Sequence, residues 1–219
     1  MPCYIWWRPR GGGRRYDPWP MLEQRIQQHF IDSADLKYQS AEALGPPIAA
    51  AVQAILASVT SGGKVLACGT GASAALAQIF TSAFVAGFER ERPGLGAIAL
   101  TADGTLLAPV SAAADASQVF ARQVRALGHA GDVLLLLSPG GNCASLSAAL
   151  EAAHEREMTV VALTGRHGGR VAGLLRETDV HICVPHERAA RVQEVHALAL
   201  HCICDGVDAQ LLGEQEIPL

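Results

Sequence analysis

The sequence predicts an α/β fold: a five-stranded parallel sheet with helices on both faces, in three layers. Three observations predict it. Short apolar runs recur along the chain: "KVLAC" (64–68), "AIAL" (97–100), "DVLLLLS" (132–138), "TVVAL" (159–163) and "VHICV" (180–184). Segments of ten to twenty residues with helical periodicity separate most of these runs, which is the alternation of βαβ units. Half of the 219 residues are hydrophobic and only 5% are aromatic, so the core is aliphatic. Alanine and leucine dominate it, which favours helices lying close on a sheet covered from both sides.

The elements follow in order. Residues 1–20 hold all three tryptophans, four of the eleven prolines and a triple glycine, with no apolar period. They read as a leader outside the folded domain, and no function is assigned to them. A helix is expected from Met21 to about Leu44, carried by Leu22, Ile26, Phe30, Ile31 and Leu36, with Gly45-Pro46-Pro47 as its stop. A second runs from about Ile48 to Val59 and ends at Ser61-Gly62-Gly63, so 21–60 is an N-terminal helical segment. The strands then begin, and a single domain extends to about residue 215. "ERERP" (89–93) and "HERAARVQE" (186–194) read as solvated or intersubunit charge clusters. "RALGHAGD" closes a helix at Gly128 and Gly131, with His129 in the turn. Leu211-Leu212, near the tail, is expected to cap the core.

Composition narrows the function. The net charge is -4, and Arg8, Arg10, Arg14 and Arg15 with Asp17 place +3 of charge in the leader, which leaves -7 for the body. An acidic body argues against direct nucleic-acid binding. Cys3, Cys68, Cys143, Cys183, Cys202 and Cys204 show no CxxC spacing and read as buried free thiols of a reduced, cytoplasmic protein. Cys202 and Cys204, two apart on a helix, point to different faces. No run approaches the apolar length of a membrane span, and no membrane partner is expected.

Two strand-to-helix turns can carry chemistry. "CGTGAS" (68–73) sets Gly69, Thr70, Gly71 and Ser73 ahead of a helix; "SPGGNC" sets Ser138, Gly140, Gly141 and Asn142 ahead of another. Glycine lets backbone approach a ligand, hydroxyls donate, and free N–H groups at a helix start favour an anion. Neither is a P-loop or GxGxxG. Each alone is equally a tight turn; two on alternate strands, both with serine, point to a phosphate-bearing ligand beyond the carboxyl ends of the strands. On "RVQEVHALALHCICD", Gln193, His196 and His201 lie near one helical stripe. Two such ligands do not make a structural zinc site, and no metal ligands are assigned. His201 remains the one weak catalytic candidate.

"GKVLACGTGASAALAQIF", "ERPGLGAIAL", "VRALGHAGDVLLLLS", "MTVVALTGRHGGRVAGLL" and "RVQEVHALALHCICD" together resemble the SIS (sugar isomerase) domain over about Met21 to Gln215. Within it the chain resembles the branch of bacterial phosphoheptose isomerases and the DnaA initiator-associating protein, and motif by motif the latter more. The resemblance implies a flavodoxin-like five-stranded parallel sheet and a homotetramer holding a phosphosugar at its interfaces. It implies ligand contacts from Thr70, Gly71, Ser73, Ser138, Gly140, Gly141, Asn142 and Gln193. In the isomerases of that branch a metal, often zinc, is held by a histidine and a glutamate after the first turn and a glutamine and a histidine of the last helix. Those positions fall here on Ile79, Ala83, Gln193 and His201, and an asparagine–aspartate pair falls near Ala112-Ala113. The phosphate turn keeps Ser138 and has Gly140 and Cys143 in place of two further serines. The expectation is therefore a non-catalytic tetrameric scaffold that presents repeated surfaces to the DnaA initiator, with no cofactor. The alternative is a sedoheptulose 7-phosphate isomerase, with zinc only under that reading.

Overall fold

The computed structural model describes residues 19–107 and 115–213, with side chains from Met21 onward. The expected leader, apart from its last two residues, lies outside the described residues, as do Ala112-Ala113 and the tail beyond 213. Five strands form one sheet: β1 (Val65–Gly69), β2 (Ala97–Ala99), β3 (Val133–Ser138), β4 (Thr159–Gly165) and β5 (Val180–Val184). Their order is β2-β1-β3-β4-β5, with every pairing parallel. Helices among the described residues cover it: α1 (Trp19–Thr60), α2 (Ala72–Ala86), α3 (Val119–Leu127), α4 (Ala144–Glu155), α5 (Gly169–Leu174) and α6 (Ala189–Leu212).

The uniform apolar runs are two-sided, as the sequence predicts. Val65, Ala67, Leu135, Leu137, Val161 and Leu163 pack into one core with α1, α2 and α6. The alternate residues Leu66, Cys68, Leu134, Leu136, Val160 and Ala162 pack into a second core with α3, α4 and α5. Every residue of β1 and β3 is buried, so neither face tolerates a polar alternation.

Four expectations are corrected here. Gly45-Pro46-Pro47 does not stop the first helix: α1 is continuous for 42 residues with both prolines inside it. Proline removes the N–H donors that would reach the carbonyls of Glu42 and Ala43. The helix continues because Leu44, Ala51, Val52 and Ile55, on either side of the break, are all pinned in the core. Within Met21–Thr60 the same helix is, by length and composition, apolar enough to cross a membrane, which the sequence reading did not expect. Its Leu44–Ile55 face is the one that covers the sheet. "ERERP" is not wholly solvated: Arg92 is buried with Asp208 of α6, Nε to Oδ1 2.5 Å, each side chain 1% exposed. Leu211 and Leu212 do not cap the core but stay exposed, while Arg90 Nη1 donates to the Gly213 carbonyl at 2.8 Å and ties down the helix end.

Turns between elements are closed by buried carboxylates. Asp132, after Gly131 at φ 85°, accepts from the backbone N–H of Lys64 and of His129 and from Lys64 Nζ at 2.6 Å. Asp179 accepts from the Val160 N–H and lies 2.7 Å from His154 Nε2. These bolts sit at the amino ends of the strands. The carboxyl ends are left for the glycine-rich turns.

Candidate functional site

The strand order makes β1 and β3 neighbours although the chain leaves them toward opposite edges of the sheet, so a crevice opens between their carboxyl ends. Gly69 pairs with Leu137, which starts the two predicted turns side by side. In the β1 turn Thr70 is exposed, Gly71 takes φ 58° as the residue before α2, and no side chain caps that helix. Ser73 is fully buried and its Oγ has no hydrogen-bond partner.

The β3 turn is braced by the turn after β4. The Ser138 carbonyl accepts from the Gly141 N–H at 3.0 Å, and Gly141 takes φ 66°. A Cβ at Gly141 would run into the Gly168 carbonyl, while one at Gly140 would meet open space. Gly165 N–H donates to the Pro139 carbonyl and Val171 N–H to the Gly141 carbonyl. Asn142 Nδ2 donates to the Gly140 carbonyl at 2.9 Å, and its Oδ1 accepts from the Arg170 N–H at 3.0 Å. The Asn142 amide thus builds the turn. Arg166 and His167, in the bracing turn, hold left-handed φ of 52° and 64°, a strain that the interlock sustains.

Cys143 precedes α4, and its Sγ lies 3.3 Å from Ser145 Oγ. Burial pushes its thiol up, but the polar groups of Ser145, Leu146 and Thr70 nearby more than offset this and bring it below the ordinary value. Cys68, wholly buried beneath, is driven far above its ordinary value by burial, with Cys143 adding to the rise. The sequence reading took Cys143 as a replaced serine and as one of several buried free thiols; the thiol is half-buried, as is Cys183, and Cys202 is exposed.

The residues on α6 separate. Gln193 is half-buried, and His201, two turns on, is exposed with its ring 5.4 Å from Phe88. His196 is not beside them at the surface. It is fully buried, its Nε2 donates to the Thr164 carbonyl at 3.0 Å, and burial lowers its pKa to about 4. Thr164 pairs with Ser138 in register and its Oγ1 lies 2.7 Å from His181 Nε2, so these groups support the floor of the β3 turn. Ile79, 50% exposed, and the half-buried Ala83 offer alkyl groups one helical turn apart on α2. Gln193 and His201 alone do not supply the three or four donors that zinc takes. Among the described residues no three His, Cys, Asp or Glu gather elsewhere to do so. The residues present do not fit that metal.

A doubly wound parallel sheet with two glycine-rich turns at the switch in strand order defines a class of α/β proteins, whose ligands lie beyond the carboxyl ends of the strands. The SIS domain family profile matches residues 29–165, and the chain belongs to that family. It is 61% identical over 197 residues to the phosphoheptose isomerase of Methylibium petroleiphilum, covering 90% of this chain and 98% of that protein. It is 53% identical over 195 residues to that of Aromatoleum aromaticum, covering 89% and 98%. The structure of the phosphoheptose isomerase from Neisseria gonorrhoeae superposes with a TM-score of 0.82 at 43% identity, covering 86% of this chain and 99% of that one. These relatives overturn two expectations: the non-catalytic scaffold in replication initiation, and the judgement that the chain is not an enzyme. They rested on the side chains lost at 79, 83, 140 and 143 and on motifs read as nearer to the initiator-associating protein, whereas the likeness to named isomerases runs through nine-tenths of the chain.

Proposed function

We propose that this chain is a phosphosugar isomerase of the phosphoheptose type, acting on sedoheptulose 7-phosphate. The observation that carries it is the pairing of Gly69 with Leu137, which starts the β1 and β3 turns side by side and sets the helix starts of α2 and α4 beside one another. The kinship with proteins named phosphoheptose isomerases supplies the reaction. The phosphate rests on the N–H groups of the two turns with Thr70 and Ser73 as hydroxyl donors, over the floor that Ser138 and Thr164 form. Asn142, Gly140 and Gly141 shape that seat, and Gln193 approaches the sugar.

Aldose–ketose interconversion moves one proton between adjacent carbons and a second between their oxygens. With an alkyl group at 83, no carboxylate is supplied there. His201 is the imidazole kept, and a ring nitrogen can take a proton from one atom and return it to another. We assign it that role, without a bound metal. The protein acts as a homotetramer in the cytoplasm. Exposed Ile26, Phe30, Ile31 and Tyr38 on α1 support self-association, since apolar patches of that extent mark interfaces.

The test is turnover of sedoheptulose 7-phosphate by the full chain, beside thermal stabilisation by the same sugar. Turnover that survives chelator treatment and vanishes in His201→Ala, with stabilisation retained, is expected. Stabilisation without turnover sinks the isomerase assignment. Neither effect sinks the phosphate seat itself.

A further inference from the structure

We propose that Phe88 is a positioning residue for the isomerisation: its ring holds the His201 imidazole in the orientation from which that group moves the proton. The inference rests on the role given to His201 above. His201 is exposed on α6, and its ring lies 5.4 Å from that of Phe88, centroid to centroid, at a tilt of 32°. At that separation two aromatic rings attract each other beyond what their buried area gives. Among the described residues no hydrogen bond or ion pair reaches the imidazole, so the ring contact is what selects its rotamer. An exposed side chain without such a contact hops between rotamers in picoseconds to nanoseconds. Proton transfer needs the ring nitrogen within hydrogen-bond reach of the proton, and time spent in other rotamers is lost to turnover.

Phe88 is itself held from several sides. It is half-buried and packs on the core that α6 shares with the sheet. Helix α2 ends just before Gly87, which takes φ 96° and turns the chain; a Cβ there would meet the Arg90 carbonyl at 2.8 Å. Beyond Phe88, the Arg92 guanidinium lies 5.6 Å over the Phe84 ring, and its Nη1 donates to the Phe84 carbonyl. Arg92 Nε donates to Asp208 Oδ1. Asp208 stands two helical turns beyond His201, on nearly the same side of α6. The segment that carries Phe88 is thus fastened both to the end of α2 and to the helix that carries His201.

The experiment compares the full chain with Phe88→Leu, Phe88→Tyr and His201→Ala. It reads turnover of sedoheptulose 7-phosphate, Tm, and the carbon-bound ring protons of His201 by NMR, assigned by their loss in His201→Ala. Leucine keeps apolar bulk and removes the ring. Phe88→Leu should lower kcat about 10-fold with KM held, and lower Tm by no more than roughly 2–4 °C. Its His201 resonances should lose their ring-current shift, and Phe88→Tyr, which keeps the ring, should restore both rate and shift. Phe88→Leu that turns over like the wild type, beside an inactive His201→Ala, overturns the inference and leaves His201 in its role. Unmoved His201 resonances in Phe88→Leu overturn it whatever the rate. An equal loss of rate and of Tm in the leucine and tyrosine variants also overturns it, because the residue then serves the fold alone. Turnover retained in His201→Ala, or absent in the wild type, overturns the role of His201 and the inference with it.

Discussion

At the scale of single residues, the site is decided by contacts that join distant parts of the chain. Gly141 and Gly140 are adjacent and look alike in sequence, but only Gly141 combines a left-handed backbone with a carbonyl where its Cβ would be. Gly141→Ala should therefore cost about 2–5 kcal/mol, the sum of left-handed strain and overpacking. Calorimetry should show a Tm lower by roughly 5–15 °C, while Gly140→Ala leaves Tm within error. Equal effects would mean that the β4 turn does not brace the β3 turn. His196 offers a second residue-scale test. Its folded pKa, near 4, lies below the ordinary 6.5, so the unfolded chain binds more protons between those values. Stability from this group is complete above pH 6.5 and is lost as pH falls toward 4, by roughly 3 kcal/mol. Burial lowers the His181 pKa too, which adds in the same direction. Urea unfolding at pH 7 and pH 4.5 should show that loss in the wild type and a much smaller one in His196→Asn, whose amide can still donate to the Thr164 carbonyl.

At the scale of elements, what the sequence told depended on whether the cause was local. The five strands were legible because burial on both faces makes each a run of apolar residues, a pattern carried within a few positions. The two turns were legible for the same reason. The continuity of α1 through Pro46 and Pro47 was not, because residues on both sides are held by a sheet that forms from other parts of the chain. The role of Asn142 was likewise hidden, since its partner, the Arg170 N–H, lies 28 positions away. The Arg92–Asp208 pair belongs to this group as well, with its members 116 positions apart. It fastens the segment after α2 to the end of α6, with Arg92 Nη1 also donating to the Phe84 carbonyl at 2.8 Å. Removing one partner leaves a buried charge alone, so Asp208→Ala should cost about 3–5 kcal/mol. Arg92→Met with Asp208→Leu should recover most of it, because the joint then needs only packing. Chemical denaturation of the three proteins decides the matter; a double variant no better than the single one would show that the pair holds more than these two elements.

At the scale of the molecule, an apolar stripe is left uncovered. Leu22, Ile26 and Phe30 recur at four-residue spacing on α1, with Phe30 76% and Tyr38 90% exposed. A helix face of that kind is covered in solution by another apolar face, and under the assembly proposed above the cover is a second copy of the chain. Two charges placed on the stripe, Ile26→Glu and Phe30→Glu, would each have to be desolvated on association, so the double variant should elute and scatter as a smaller species at the same concentration. Far-UV circular dichroism should be unchanged, because neither side chain belongs to a core. A wild-type chain that scatters as a monomer at tens of micromolar removes the proposal. The dissociated variant also separates two properties of the site. The β1 and β3 turns start side by side in one chain, so thermal stabilisation by inorganic phosphate should survive dissociation. Turnover should not survive it if neighbouring copies complete the sugar pocket. Retained stabilisation with lost turnover would locate the anion seat within the protomer and the chemistry between protomers; loss of both would mean that α1 holds the turns in place as well as the assembly.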